Sequence, residues 1–395
     1  MLTKIEFENF TAFEQLELSL SPKVNVIIGS NGTGKTHLLK AIYGLGLIAD
    51  RKYPDRADEG FAASASGKFL RIFSTEDNRV GTLSSKGAKS PTRLRLVNSD
   101  EVSLEVVFGA RSQYLEFTSG AVDPQHADTP VYIPTKEVLS LVHGIRNPKH
   151  DRTTVEMIFD DGYVNLAELL VQSGSDEAIP DSMEDPRLSS VIRKLVVLVG
   201  GRYRLKDGGG FNFEPGRYEE KAKPKADPSR SESQTARAYQ DSTQTHFVSS
   251  GSQPFPTGMT AEGYRKIGVL HRLLSNGSIN PGETGVLLWD EPEANLNPKL
   301  MKEVVQVLLE LSRNGQQIVV ATHDYVLLKW LDLLMDKKGK EDHVRYHVLQ
   351  RRDEDGRMSV YTTDEYGQLV ATGISKTFGE LYEAEIERSL KGIEL

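Results

Sequence analysis

Val24-Asn25-Val26-Ile27-Ile28-Gly29-Ser30-Asn31-Gly32-Thr33-Gly34-Lys35-Thr36 is the stretch that decides the fold. Val24 to Ile28 reads as a fully buried strand. Beyond the loop, Leu38, Leu39, Ile42, Leu45 and Ile48 recur at helical spacing, so the order is strand, glycine-rich loop, helix. Gly29, Ser30, Asn31, Gly32, Thr33, Gly34, Lys35 and Thr36 satisfy the phosphate-binding pattern G-x-x-x-x-G-K-[ST]. Its glycines let the backbone curl so that N–H groups point inward at phosphates, and the helix N-terminus adds its partial positive charge. Lys35 is then placed to reach the β- and γ-phosphates, and the Thr36 hydroxyl to ligate Mg²⁺. A turn without ligand is the bland alternative, and the lysine, the hydroxyl and both flanking elements argue against it. ATP and Mg²⁺ are the implied cofactors.

A second apolar strand, Val286-Leu287-Leu288-Trp289, delivers Asp290 and Glu291 at its C-terminal end. In a parallel α/β sheet that edge is where ligands bind. One carboxylate, Asp290, suits a hydrated metal ion, and the other, Glu291, suits orienting an attacking water. Taken alone the two would be an ordinary acidic pair at a strand end.

Around these anchors the organisation can be read from periodicity. Lys4 to Phe10 and Leu16 to Leu20 alternate about a polar break, the pattern of a hairpin, with Phe10 and Phe13 expected in the core rather than against an adenine. From Phe69 to Phe117, β-like runs such as Leu94-Arg95-Leu96-Val97 predict an antiparallel layer. Val131-Tyr132-Ile133-Pro134 is a strand ended by proline, after which Val164 to Val171 and Leu188 to Val199 are helical, so 148–245 is expected to be a helical insertion. Between Arg217 and Thr245 there is no Val, Ile, Leu, Met, Phe or Trp, which predicts a mobile polar loop over 217–245. Helices at Gly263 to Leu274 and Pro298 to Leu311 then alternate with strands at Gly285 to Trp289 and Gln317 to Ala321. That alternation predicts a largely parallel sheet covered on both faces, with 1–147 and 246–395 as two halves of one α/β domain.

Asp290-Glu291-Pro292 continues as Glu293-Ala294-Asn295-Leu296-Asn297-Pro298, and the strand after it ends in Thr322-His323-Asp324. With the phosphate loop, these segments resemble the Walker B motif, D-loop and switch histidine of ABC ATPases. The resemblance implies an ABC ATPase head of the P-loop class, with a mixed sheet and an antiparallel β layer. It implies a catalytic set of Glu291, His323 and Lys35, metal ligation by Thr36 and Asp290, and D-loop residues Asn295 and Asn297 facing an opposite subunit. The family signature falls at Thr260, Ala261, Glu262 and Gly263, which would cap the γ-phosphate of the partner's ATP in trans. Ala261 stands where the family has serine, leaving the hydroxyl contact to Thr260 or the role to backbone N–H groups. Read without the family, these residues are a helix start with Thr260 as N-cap. The family's Mg²⁺-sensing glutamine has no equivalent in Ile133 to Val138, so no metal ligand is assigned there and Ile133-Pro134 is expected to act as a hinge.

Ile5-Glu6-Phe7-Glu8-Asn9-Phe10 ahead of the loop looks like the SMC, RecF and OLD-type branch. The interval up to Thr260 lacks sustained heptads, which excludes a long coiled coil. Val131 to Ser140, Ala261 to Lys266, Trp289 to Pro298 and Gly373 to Tyr382 resemble prokaryotic anti-phage defence ATPases of the PARIS and Septu kind. That resemblance implies a homodimer or higher homo-oligomer controlling an effector protein such as a TOPRIM-type nuclease. The stretch after His323 is too short, and its acidic residues too unpatterned, to be the nuclease. A RecF-like clamp on DNA is the second reading and a transporter motor the third.

Composition sets outer limits. At 395 residues, 38% hydrophobic and 26% charged, the chain matches soluble globular usage. It has no cysteine, which excludes disulfides, thiolate metal sites and a thiol nucleophile, and fits a cytoplasmic protein. A net charge of −8 argues against whole-surface binding to nucleic acid. No run approaches the roughly 18 apolar residues of a membrane span, so no membrane partner is expected.

Overall fold

A computed structural model describes residues 1–50, 60–101, 103–118, 129–147, 149–172, 186–220, 245–337, 341–352, 356–371 and 373–391. The chain opens with β1 (Leu2–Phe10) and β2 (Phe13–Ser19), joined by a two-residue turn in which Thr11 has φ +48°. Their alternation buries Ile5, Phe7, Phe10, Phe13, Leu16 and Leu18, so both phenylalanines of the turn are core residues. β3 (Val24–Ile28) is buried throughout and feeds α1 (Lys35–Ala49).

α2 (Phe61–Phe73) follows and corrects the sequence reading, which counted Phe69 onward among β-like runs. Phe61, Ala65, Phe69, Leu70 and Ile72 form one buried helical face, a period visible only when the segment is read from Phe61. The antiparallel layer is β4 (Thr92–Asn98), β5 (Ser103–Phe108) and β6 (Glu116–Phe117), giving a sheet ordered β2-β1-β4-β5-β6.

β7 (Val131–Ile133) leads into α3 (Val142–Ile145), α4 (Arg152–Ile158), α5 (Asp161–Leu170) and α6 (Pro186–Val199). The insertion is not purely helical: β8 (Gly201–Leu205), β9 (Phe211–Glu220), β10 (Thr245–Ser249) and β11 (Phe255–Pro256) form a further sheet. Residues 217–220 and 245, expected in a mobile loop, belong to this sheet, with Thr245 paired to Glu220. Tyr218 packs edge-on against Phe247 of the paired strand, and Phe211 and Phe213 earlier in β9 are buried. The remainder of that expected loop, 221–244, lies outside the described residues.

α7 (Glu262–Ser275), β12 (Leu287–Asp290), α8 (Pro298–Arg313), β13 (Ile318–Thr322), α9 (Tyr325–Leu334), β14 (Val344–Arg351), β15 (Met358–Thr363) and α10 (Gly373–Lys391) complete the described chain. The central sheet runs β15-β14-β3-β13-β12-β7, parallel except for β15. Its strands are covered on both faces, as their near-continuous apolar sequences require. Tyr132, Leu288, Val319 and Ala321 pack towards α1 and the antiparallel layer, whereas Ile133, Leu287, Trp289, Ile318 and Val320 pack towards α7 and α8.

Register places the site. Ile28 pairs with Thr322, Ala321 with Asp290, and Trp289 with Ile133, so β3, β13, β12 and β7 end side by side at one edge. The phosphate loop, Thr135, the Asp290-Glu291 pair with the D-loop, and His323 all lie at or just beyond this edge, whereas the signature residues at the start of α7 do not.

Candidate active site

The phosphate loop depends on two left-handed glycines, Gly32 at φ +81° and Gly34 at φ +92°. Gly34 stands at the N-cap position of α1, with no side chain bonded to the first-turn N–H groups. Those donors and the positive end of the helix are therefore left for an anion. Thr33 Oγ1 donates to Ser30 O at 2.8 Å and closes the loop on itself. Lys35 is buried, with Nζ donating to Gly29 O at 2.8 Å and Ser30 O at 3.2 Å. Burial lowers the pKa of its ammonium, while Glu291, Asp290 and Glu293 oppose the fall.

Thr36 Oγ1 donates to Asp290 Oδ2 at 2.8 Å, joining the two motifs that the sequence separates by 254 positions. Thr135 Oγ1 donates to the same oxygen at 3.1 Å, and Tyr132 OH lies 3.5 Å away. Thr135 has no role by the family pattern, which has a glutamine in this loop; its one signal in the sequence is a hydroxyl two residues past the end of β7. Asp290 Oδ1 is buried without a partner, and burial raises the carboxyl pKa against the pull of the two threonines. An unpaired carboxylate oxygen beside a threonine hydroxyl fits a hard, mostly hydrated Mg²⁺, with nucleotide phosphates and water supplying the other ligands. Among the described residues there is no cluster of three or more acidic or histidine side chains that would hold a metal alone.

Glu291 begins where β12 ends, and its backbone is left-handed at φ +46°. A non-glycine residue there costs about 1–2 kcal/mol and persists where the surroundings impose it. Three contacts do so. Glu291 N donates to Ala321 O at 2.9 Å, Lys266 Nζ donates to Glu291 O at 2.6 Å, and His323 Nδ1 lies 3.0 Å from Glu291 Oε1. The switch histidine and the expected water-orienting carboxylate are thus in direct contact. Glu293 braces this pair: its Oε1 accepts from Thr322 Oγ1 at 2.6 Å and from the His323 amide at 3.3 Å. Glu293 is itself buried, with its carboxyl pKa pushed up by desolvation. Neither Lys266 nor Glu293 had been given a role from the sequence, because both act through contacts across elements.

The signature residues pack against the D-loop of their own chain. Asn295, at φ +61°, donates from Nδ2 to Glu262 Oε1 at 2.8 Å. A Cβ on Gly263 would stand 2.7 Å from Asn295 O, so only glycine allows this approach. The N-cap of α7 is Ala261 and not Thr260, which corrects the sequence expectation. The Thr260 hydroxyl is used inside the chain, donating to Thr257 O at 2.7 Å and lying 2.9 Å from Tyr203 OH. Since Ala261 provides no capping oxygen, the first-turn N–H groups of α7 remain without a side-chain cap. Asn297 caps α8 by accepting from Lys299 N at 3.0 Å, and its side chain is exposed. Among the described residues no hydrogen bond joins residues 260–263 to residues 29–36 of the same chain.

Parts of the chain are similar to known proteins. A family model described as AAA ATPase domain matches residues 1–76, and one described as AAA domain, putative AbiEii toxin, Type IV TA system, matches residues 166–329. A DNA replication and repair protein RecF from Exiguobacterium sp. is 29% identical over 192 residues, which cover 43% of this chain and 50% of that protein. RecF of Bacillus mycoides is 52% identical over 51 residues, 13% of this chain and 14% of that protein. The matched region thus spans at most half the length of these two relatives. Among solved structures, an Smc head bound to the C-winged helix domain of ScpA has 15% identity and a TM-score of 0.49, covering 93% of this chain and 99% of that one. The SMC head domain from Thermotoga maritima has 11% identity and a TM-score of 0.45, with 92% and 99% covered. The chain has an α/β fold in which a buried strand, a phosphate loop and a helix lead into a mostly parallel sheet beside an antiparallel layer, and it is similar over parts of its length to AAA ATPase domains and to RecF proteins.

Proposed function

We propose that this protein is an ATP-hydrolysing switch whose nucleotide sites are completed by a second copy of the chain, and that closure of the pair controls a partner. The observation that carries this reading is the state of the α7 N-terminus. It presents uncapped N–H donors, yet makes no hydrogen bond to the phosphate loop of its own chain among the described residues. Such donors suit the γ-phosphate held by another copy.

In this mechanism Lys35 exchanges the carbonyls of Gly29 and Ser30 for the β- and γ-phosphates, and the loop N–H groups hold the remaining phosphate oxygens. Thr36 and Asp290 would hold Mg²⁺, which supplies charge neutralisation at the transferring phosphoryl group. Glu291 accepts a proton from the attacking water while His323 fixes its carboxylate. Lys266 and Glu293 keep that pair in place through the Glu291 carbonyl and the Thr322-His323 segment. The energy of two sandwiched nucleotides drives closure, and hydrolysis releases it.

For the output, the favoured reading is control of an effector protein, a nuclease of the TOPRIM or another type, in cytoplasmic anti-phage defence. It is supported by the resemblance of Gly373 to Tyr382 and the signature region to defence ATPases, and by a matching family model whose description names a putative toxin. The second reading is a RecF-like clamp that binds DNA when loaded with ATP, supported by the RecF matches. Glu291→Gln protein, purified with its neighbouring gene product, is to be sized with and without Mg·ATP. The variant should turn over ATP at least about 100-fold more slowly and accumulate as an ATP-dependent dimer or larger assembly. Co-migration of the neighbour supports the effector reading, and ATP-dependent capture of duplex DNA by a dimer alone supports the clamp. A protein that remains monomeric with saturating Mg·ATP refutes the composite site.

A further inference from the structure

The insertion sheet meets α7 along one face of the helix. A Cβ on Gly268 would stand 2.2 Å from Tyr203 Cδ2, so β8 approaches the helix there more closely than a side chain would allow. His271 lies three residues on, on the same face. It is 4% exposed, and among the described residues neither Nδ1 nor Nε2 has a hydrogen-bond partner. The ring lines a cavity of about 10 Å³, shared with Arg202 and Arg204 of β8, Tyr218 of β9, and Arg272 and Ser275 of its own helix. That volume admits one water or one atom of a ligand. Arg272 is held by carbonyls at and beyond the end of α5, with Nε donating to Leu170 O at 2.8 Å and Nη2 to Gln172 O at 3.0 Å. Arg202 Nε donates to Glu214 Oε2 at 2.9 Å, and its guanidinium lies 4.0 Å from the centre of the Phe247 ring. The Ser275 hydroxyl is committed to Arg272 O at 3.1 Å. Arg204 is exposed at the mouth, with no hydrogen bond or ion pair to another described residue.

Burial and the positive charges of Arg202 and Arg272 push the His271 pKa down to about 3 from 6.5, and no carboxylate opposes them. Of the other titratable groups beside the cavity, Tyr203 turns its hydroxyl to Thr260 and Glu214 is engaged by Arg202. Helices α5 and α6, which also pack on α7, bring no charge that acts on the ring among the described residues. A buried ring without a partner is costly unless something outside the chain binds it, and cationic walls without a facing anion favour a negative ligand. We propose that the cavity is an oxyanion site: one oxygen of a phosphate or carboxylate group enters against His271, the remaining oxygens rest on Arg204, and the imidazole takes up one proton as the anion binds. The proton comes from solvent to an imidazole nitrogen, which becomes an N–H donor to the entering oxygen. The anion supplies the counter-charge that the two buried arginines and the new imidazolium require. This site is independent of the composite nucleotide site.

The test is NMR of the full chain with its nine histidines isotopically labelled, titrated with potassium sulfate and, at equal ionic strength, with potassium chloride. His271→Gln identifies the signal. Sulfate, whose charge is constant near neutral pH, should move that signal to the imidazolium position, with an apparent Kd that rises about tenfold per pH unit because one proton is bound per anion. Arg204→Gln, at an exposed position, should weaken binding at least about tenfold. Sulfate held in the phosphate loop would act on His37 and His323 alike in both proteins, so the Arg204→Gln difference isolates the cavity even where His271→Gln does not fold. Potassium acetate then separates a carboxylate from a tetrahedral oxyanion, the tighter of the two naming the group. A His271 signal that sulfate leaves unmoved, that chloride moves equally, or that responds the same in Arg204→Gln overturns the site, as does binding independent of pH.

Discussion

Alanine at Gly34, compared with alanine at Gly32, measures how the phosphate loop is built. Both glycines are left-handed, at φ +92° and +81°. A Cβ at Gly34 would lie 2.8 Å from Cζ and 3.1 Å from Cε2 of Phe13, a ring at 0% exposure that cannot swing away. A Cβ at Gly32 meets nothing within 4 Å. The left-handed backbone costs an alanine about 1–2 kcal/mol at either site. Overpacking adds about 1–3 kcal/mol at Gly34 alone. Gly34→Ala should therefore destabilise by about 2–5 kcal/mol and Gly32→Ala by about 1–2 kcal/mol. Since both substitutions remove the same freedom from the unfolded chain, their difference reports the Phe13 contact. Urea unfolding without nucleotide, followed by tryptophan fluorescence, gives both values. Phe13→Leu in the Gly34→Ala background should recover part of the loss, as contacting sites are not additive. Equal destabilisation by the two alanines, or no recovery with Phe13→Leu, would refute the argument that the β1–β2 hairpin sets the loop's shape.

Three further outcomes follow from other parts of the site. Burial pushes the Lys266 ammonium down to about 8 from 10.5, so between those pH values the unfolded chain binds the extra proton. Stability should rise as pH goes from about 8 to 10.5, and Lys266→Met should flatten that rise in urea titrations at a series of pH values; a rise that survives the substitution contradicts the assignment. Asn297→Ala removes the cap of α8 and should cost about 1 kcal/mol in the same assay, whereas a change below a few tenths would mean that the cap is dispensable. His323→Ala should reduce kcat by about 100-fold with little change in KM, because its ring contacts Glu291 and not the phosphate loop. A rise in KM at constant kcat would instead make His323 a ground-state phosphate ligand.

Periodicity made β3, α1, β12, α8 and β13 legible, because burial on one face or both leaves a local pattern of 2 or 3.6 residues. The same approach failed at α2, where Phe69 to Phe73 taken alone looks β-like, and at β9 and β10, whose polar tips conceal a paired hairpin. Thr260 looked like the cap of α7 because threonine is a good N-cap residue, but its hydroxyl is held by Thr257 and Tyr203, one turn earlier and across on β8.

The amino-acid order alone determined the phosphate loop, the carboxylate pair Asp290 and Glu291, and the alternation of strands and helices. Each is a property of neighbours in the chain, whose geometry follows from backbone sterics and spacing. Only tertiary structure brought Thr135 to Asp290 across 155 positions, Lys266 to the Glu291 carbonyl across 25, and Glu293 to Thr322 across 29. The first and last arise from the parallel register that ends β3, β13, β12 and β7 at one edge, and the second from the packing of α7 against that sheet. Strands buried on both faces read as continuous apolar runs without the alternation that would mark their register, so the register is settled by packing between elements distant in the chain.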